Sequence, residues 1–403
     1  MFSCEKKEKI QDYCEEIKRR FLDKHIFTLD EEVGQMLMIS STYKGVWLEH
    51  AYDAVICAKL YPEYAHIAKN TIFAFIKYQR QDGQLPFVLS KSREGDVGSY
   101  RQLQEVVSFL KIAFEVYEMT GDKELLKKSY EAGKKWDAWL RANRMTSGRG
   151  LVEMFVGFDT GHDSSARLNG MSCPRNNGKN EACVLPKEDG VTPILAVDIN
   201  ANFYATEKTL AKIALLLGKA EEGRQWEQSA KEIKKKLFEY CFDEEDCFFY
   251  DVDKYNNKRK YLSCTLFHLF SEEVLNREED GELIERLYSR HIKNPKEFWT
   301  AYPFPSMAVS DPSFVKPKES NCWGYYSQAL TALRCTLWMD KYGWGKDFDV
   351  LCEKWLTAWT DCYENMKFGQ ELDPLTGEPS NTSEWYSSCM LFYVYSARRL
   401  HLV

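Results

Sequence analysis

Apolar side chains recur every three or four residues along most of this chain, the spacing that lines one face of a helix. Ile10, Cys14, Ile17 and Phe21 make the first such face, and the first 35 residues read as helix. Further on, the pattern falls into units of helix, short turn, helix. Residues 53–60 turn at Tyr61-Pro62-Glu63 into 65–79, and the face of Leu103, Val107, Leu110 and Phe114 turns at Thr120-Gly121-Asp122 into Leu126, Tyr130, Trp136 and Leu140. Phe203, Leu210, Ile213 and Leu217 turn at Gly218-Lys219 into Trp226, Ala230, Ile233 and Leu237. Residues 261–269 lead into 283–291, and 323–342 turn at Gly343 into 348–366; residues 381–400 close the chain as a last helix. Five hairpins result, and the helices at the two ends are free to pair as a sixth. No strand alternation of comparable length appears. Hairpins at loose spacing with long, variable loops fit an all-α closed toroid better than a regular solenoid. No Pro/Gly/Ser-rich linker divides the chain, so residues 1–403 are expected to form one domain.

The breaks in the helical pattern are long: about 81–100, 148–197, 298–322 and 368–382. Loops that follow the helices of a toroid can gather at one mouth, which is a binding-site layout. The stretch from Gly150 to Arg167 is the densest, packing Glu153, Asp159, His162, Asp163 and Arg167 into one irregular segment. For any one such Asp, capping the loop is the ordinary role.

Composition narrows the partners. The formal net charge is −7 with no clustered basic stripe, against nucleic acid or an anionic membrane as main partner. Nothing resembles a signal peptide or membrane span. The 13 cysteines show neither a CxxC pair nor a zinc spacing, Cys173 and Cys183 merely flanking a loop; reduced thiols in a cytoplasmic protein are expected. His162 has no second histidine near it in sequence and reads as a packed ring or hydrogen-bonding group. Neither a metal nor another cofactor is expected. Aromatic residues, 14% of the chain, suit sugar rings as well as core packing.

Several segments, in order, resemble trehalases and glycoside hydrolase family 63. Gln79-Arg-Gln-Asp-Gly-Gln-Leu-Pro86 is similar to a Q-x-x-D-G-x-I-P element, and Thr160-Gly-His-Asp-Ser-Ser-Ala-Arg167 to S-G-x-D-x-S-x-R. Val197-Asp-Ile-Asn-Ala201 resembles D-L-N-A, and residues 298–305 with Asn321-Cys-Trp-Gly324 resemble a late Y-W-R-G region. Asp373-Pro-Leu-Thr-Gly-Glu378 and Trp385 resemble the closing E-x-Y-D-P-x-T-G and F-S-W signature. The resemblance implies an (α/α)6 barrel and an inverting glycosidase acting on a small carbohydrate, an α-linked glucoside or mannoside. It puts the general acid on Asp163.

Three positions depart from the family pattern. The family's general base lies four residues before the Pro of D-P-x-T-G, where this chain has Gln370, with Glu371 next to it. The Arg of Y-W-R-G is missing beside Trp323. In place of W-x-W-D stands Trp47-Leu-Glu-His50, and the acids of this region are Glu49 and Asp53.

Inverting hydrolysis of an acetal needs one carboxyl to protonate the leaving oxygen and one to activate water, about 6.5–9.5 Å apart. Asp163 with Glu371 is the expected pair, Glu384 and Glu364 being the alternatives for the base. Trp47, Asp53, Gln104, Arg167, Asn200, Trp299 and Trp323 are the candidates for holding the sugar. Because an α/α toroid also suits epimerases, and because Gln370 is neutral, a sugar epimerase and a non-catalytic carbohydrate-binding protein are the other readings.

Overall fold

A computed structural model describes residues 2–90, 97–104, 107–171, 182–185, 189–317, 323–380 and 383–403. Its helices follow the hydrophobic pattern. The first, α1 (Cys4–Arg20), starts where Ser3 accepts a hydrogen bond from the Lys6 N–H at 3.2 Å. After it come α2 (Ala51–Leu60), α3 (Ala65–Lys77), α4 (Phe109–Thr120), α5 (Lys123–Arg144), α6 (Val197–Leu216) and α7 (Ala220–Cys241). The short α8 (Leu266–Ser271), α9 (Arg277–Leu287), α10 (Ala329–Arg334), α11 (Gly345–Cys362) and α12 (Ser387–Arg399) complete the set.

Local chemistry explains the turns. Between α4 and α5, Gly121 takes φ +67°, which a residue with a Cβ resists, and Asp122 then caps α5 by accepting from the Glu124 and Leu125 N–H groups at 2.9 and 3.0 Å.

Even-numbered helices form an inner ring. α2 neighbours α4, α4 neighbours α6, α6 neighbours α8, α10 neighbours α12, and α12 returns to α2. Phe267 and Phe270 of α8 reach the Trp338 indole just beyond α10, at 5.9 and 5.6 Å between ring centroids. Asp53 of α2 closes the circle, its Oδ2 accepting from Ser387 and Ser388 of α12 at 2.5 and 2.8 Å. Odd-numbered helices lie outside. α3, α5 and α7 fold back on the inner helix before each, and α1 packs on α11 and α12. The two ends thus pair as a sixth hairpin, and the expected (α/α)6 barrel is the fold.

Position in the ring sets the burial. From Val197 to Ala214 only Lys208 and Lys212 of α6 escape burial, whereas α7 buries a single stripe of Gly223, Ala230, Ile233, Leu237 and Cys241. A helix covered all round keeps no solvent face, so even Asp198, Asn200 and Glu207 of α6 are buried; one that backs onto a ring needs only one apolar face.

Two expectations at the chain ends are corrected. The first helix does not run through the first 35 residues: it gives way after Arg20, and Ile26–Thr28 pairs antiparallel with Gln35–Leu37. Asp30 makes the turn between them, accepting from the Val33 N–H at 2.7 Å. The last helix begins at Ser387, not at 381; residues 381 and 382 lie outside the described residues, as do Cys173, Asn321 and Cys322.

Short strand pairs stitch the long loops. Val46–Trp47 pairs with Val88–Leu89, Glu153–Met154 with Ile194–Leu195, and Ser327–Gln328 with Glu371–Leu372. Each joins a segment just before an inner helix to another loop, pairing backbone groups that burial would otherwise leave unsatisfied. They gather at the end of the ring where α2, α4, α6, α10 and α12 begin.

Candidate active site

At that end two cavities meet. The inner one is narrow, ≈ 70 Å³, and is bordered by Tyr43, Glu49, His50, Trp323, Gln370 and Tyr386, among others. The outer cleft measures ≈ 640 Å³ and runs past Phe87, Ser99, Arg101 and Phe158. Tyr43, Trp47, Gln104 and Asp163 border both. A larger space of ≈ 1010 Å³ opens at the opposite end of the ring, where Lys59 and Glu115, ion-paired at 2.8 Å, are typical of its walls. Further carboxylates there are likewise tied up by lysines, Glu272 by Lys111 at 3.6 Å and Glu273 by Lys341 at 2.5 Å, so the chemistry is assigned to the mouth where the loops meet.

Most of the charged groups of 150–167 build the loop itself. Asp159 is fully buried and takes five hydrogen bonds: from the N–H groups of Leu103, Phe155 and Val156, and from two guanidinium nitrogens of Arg144, the shortest at 2.6 Å. Glu153 accepts from the Thr146 N–H and hydroxyl and from the Ser147 N–H. Arg167 runs beneath the mouth, its guanidinium 2.5 Å from Asp198 and 2.7 Å from Asp251. Asp163 is the acid of this loop that borders the cavities.

Two contacts fix Asp163. The Trp323 N–H donates to the Asp163 carbonyl at 3.1 Å, and the Trp323 indole stacks on His162, centroids 4.2 Å apart at 18°. Burial, with Arg167 and His268 nearby, holds the His162 imidazole well below its usual pKa, so it is a neutral ring. His162, Asp198 and His268 place ligand-type atoms within 4.8 Å of one another, a spacing a metal ion could use. The Asp198 carboxylate is already engaged by Arg167 at 2.5 Å.

Glu49 is the carboxyl that the sequence reading left out of the sugar-holding set. Its Oε1 accepts from Gln104 Nε2 at 2.8 Å, and Arg334 stands 4.0 Å from Oε2. Burial pushes its pKa up to about 8, against the pull of Arg334 and Gln104. Gly161 makes room for it: a Cβ there would come within 2.5 Å of Oε2, and φ is +70°. His50 stays neutral through burial and is hydrogen-bonded to the Tyr386 hydroxyl at 2.6 Å. The one signal in the sequence was Glu49 itself, standing four residues before Asp53 at the start of the α2 pattern.

Of the expected site residues, the structure brings Asp163, Trp47, Gln104 and Trp323 to the cavities. Others lie elsewhere. Asp53 ties α2 to α12. Arg167 belongs to the ion-pair layer below. Asn200 holds the loop to α6, its Nδ2 donating to Val152 O and Ala196 O, both at 2.9 Å, and its Oδ1 accepting from the Val152 N–H. Trp299 packs edge-on to Phe304 at 5.5 Å, with the Lys293 ammonium 3.8 Å over its ring. Glu371 is fully buried with Gln328 donating to Oε2 at 2.5 Å and Ser380 to Oε1 at 2.8 Å, while its strand neighbour Gln370 borders the inner cavity. Gln370 lies just before the strand, and its Nε2 donates at 3.5 Å to Oε1 of the same Gln328 that holds Glu371. Glu384 and Glu364 border neither cavity.

Ring and mouth together define an (α/α)6-barrel protein with an aromatic- and carboxyl-lined cleft of the kind that handles sugars. The chain belongs to the mannosylglycerate hydrolase MGH1-like glycoside hydrolase domain family, whose model matches residues 49–388. Among solved structures it is similar to the GH63 mannosylglycerate hydrolase from Thermus thermophilus, with 16% identity, 96% of this chain and 99% of that one covered, and a TM-score of 0.72. It is also similar to the neutral trehalase Nth1 of Saccharomyces cerevisiae, at 14% identity over 96% of this chain and 80% of that one, TM-score 0.66. A metal-independent α-mannosidase of Streptococcus pneumoniae matches at 10% identity, 98% and 94% coverage and a TM-score of 0.60. These likenesses carry the fold. An uncharacterized protein of Borreliella burgdorferi shares 26% identity over 146 residues, 36% of this chain and 28% of the relative's length.

Proposed function

We propose that this protein hydrolyses a small glycoside or disaccharide, an α-linked glucoside or mannoside, with inversion at the anomeric carbon. The observation that carries the reading is the position of Asp163, at the line where the inner cavity and the outer cleft meet. A sugar held between Trp47 and Trp323 puts its reacting bond beside that carboxyl, with the leaving group in the outer cleft. Asp163 protonates the leaving oxygen. Gln104 and Tyr43, at the same junction, supply polar atoms for the hydroxyls. The names of the structural neighbours, a mannosylglycerate hydrolase, a trehalase and an α-mannosidase, support a small sugar substrate. Glu371, bound by Gln328 and Ser380, holds the strand that presents Gln370 to the cavity. All eleven described cysteines are free thiols, which supports a reducing compartment such as the cytoplasm.

One observation favours a second reading, carbohydrate binding without catalysis: a neutral Gln370 faces the inner cavity. A panel of α-glucosides and α-mannosides, including trehalose and mannosylglycerate, tests both. New reducing ends, with the first-formed anomer inverted by NMR, support hydrolysis. Thermal protection by a sugar with no product identifies a binder.

A further inference from the structure

We propose that Glu49 is the general base, taking the place that Gln370 leaves empty of charge; the inference rests on the glycosidase reading above. Water attack at the anomeric carbon needs a carboxylate that faces the inner side of the reacting bond. Gln370 cannot accept the proton. Glu371 has both oxygens engaged by Gln328 and Ser380 and borders neither cavity. Glu49 borders the inner cavity and not the outer cleft, whereas Asp163 sits where the two meet, so Glu49 lies on the inner side of the junction.

The Glu49 carboxyl is set up to accept. Gln104 occupies Oε1, and Oε2 is buried with no hydrogen-bond partner among the described residues. Arg334, 4.0 Å away, supplies the charge that favours an ionised Oε2. In the step, Glu49 takes a proton from water as the water oxygen bonds to the anomeric carbon. The bond from that carbon to the leaving oxygen breaks as the Asp163 proton moves to the leaving oxygen. Glu49 ends protonated and Asp163 ionised, and exchange with solvent resets both. The groups facing Glu49 are Arg334, which favours its charged form, and Asp163 and Asp53, which oppose it; His50 is neutral, and Tyr43 and Tyr386 hold their protons through burial. With burial outweighing Arg334, kcat/KM rises with pH towards about 8 as Glu49 ionises.

Glu49→Gln, with Glu371→Gln as control, decides the matter, assayed on 4-nitrophenyl α-D-mannoside and α-D-glucoside with and without sodium azide. The expected result for Glu49→Gln is a loss of about 10²–10⁴ in kcat, recovered in azide with a glycosyl azide as product, while Glu371→Gln stays active. Wild-type turnover by Glu49→Gln overturns the proposal, as does a raised KM with no azide product, which makes Glu49 a sugar-holding group. Should Glu49→Gln not fold, the wild-type pH profile decides: an ascending limb displaced well above the usual carboxyl range supports Glu49, and a rise already complete by about pH 5 overturns it. A wild-type protein that hydrolyses no glycoside of the panel sinks the glycosidase reading itself, a different failure.

Discussion

The indole of Trp323 lies flat on the imidazole of His162, 4.2 Å between centroids, while the Trp323 N–H donates to the carbonyl of Asp163 at 3.1 Å. Two loops more than 150 residues apart in sequence thereby hold one carboxyl at the mouth of the barrel. His162 borders neither cavity, so it acts on the chemistry only through its neighbours, this stack first among them. His162→Ala is expected to lower kcat by about 10²-fold with little change in KM, as displacing a reacting group by about 1 Å does. An unchanged kcat in that variant means that the stack does not position Asp163.

Asp163→Asn tests proton donation. Its loss in kcat is expected to be about 10²–10⁴-fold on alkyl glycosides and far smaller on glycosyl fluorides, whose leaving group needs no proton. Equal losses on both would make Asp163 a loop-holding residue.

Glu371→Gln is expected to keep hydrolysis and lose stability. Exchanging the carboxylate for an amide breaks a charge-assisted bond to Gln328, and buried bonds of that kind contribute about 1.5–3 kcal/mol. Urea unfolding measures the loss. A dead but fully stable Glu371→Gln, recovered by azide, would put the base at Glu371 after all.

The ring closure carries a pH signature. Burial raises Asp53 from 3.8 to about 6, although Ser387 and Ser388 pull the other way. The folded protein therefore holds this proton more tightly than the unfolded chain. The resulting stabilisation is fully present below about 3.8 and is lost as pH rises through about 6. The Tm difference between wild type and Asp53→Asn should shift against wild type between pH 4 and pH 7; a constant difference rules the effect out.

We propose that the barrel is one cooperative unit, because the bond between Asp53 and Ser387 spans 334 residues. Limited proteolysis is expected to nick loops and leave the cleaved pieces associated. Release of two separately folded halves would contradict this.

Helices were legible in the sequence because burial on one face leaves a mark every three or four residues, and that mark is local. The turns were legible for the same reason: Gly121 and Asp122 act on backbone beside them. The family motifs likewise pointed to the loop carrying Asp163. They singled out Asp163 within it. What sequence could not say is what occupies the loop's other charged groups: the 146–147 turn holds Glu153, Arg144 holds Asp159, and Arg167 pairs with Asp198 and Asp251. Asp53 looked like a sugar ligand until Ser387 and Ser388 came into reach, and Glu49, four residues earlier, took the cavity. At 370–372 the pairing of Glu371–Leu372 with Ser327–Gln328, continued by the Ala329 N–H donating to the Gln370 carbonyl at 2.9 Å, put Gln370 and not Glu371 on the cavity. A side chain's chemistry is set by its type, but its task is set by neighbours hundreds of residues away, and only the closed ring brings those neighbours within a few ångströms.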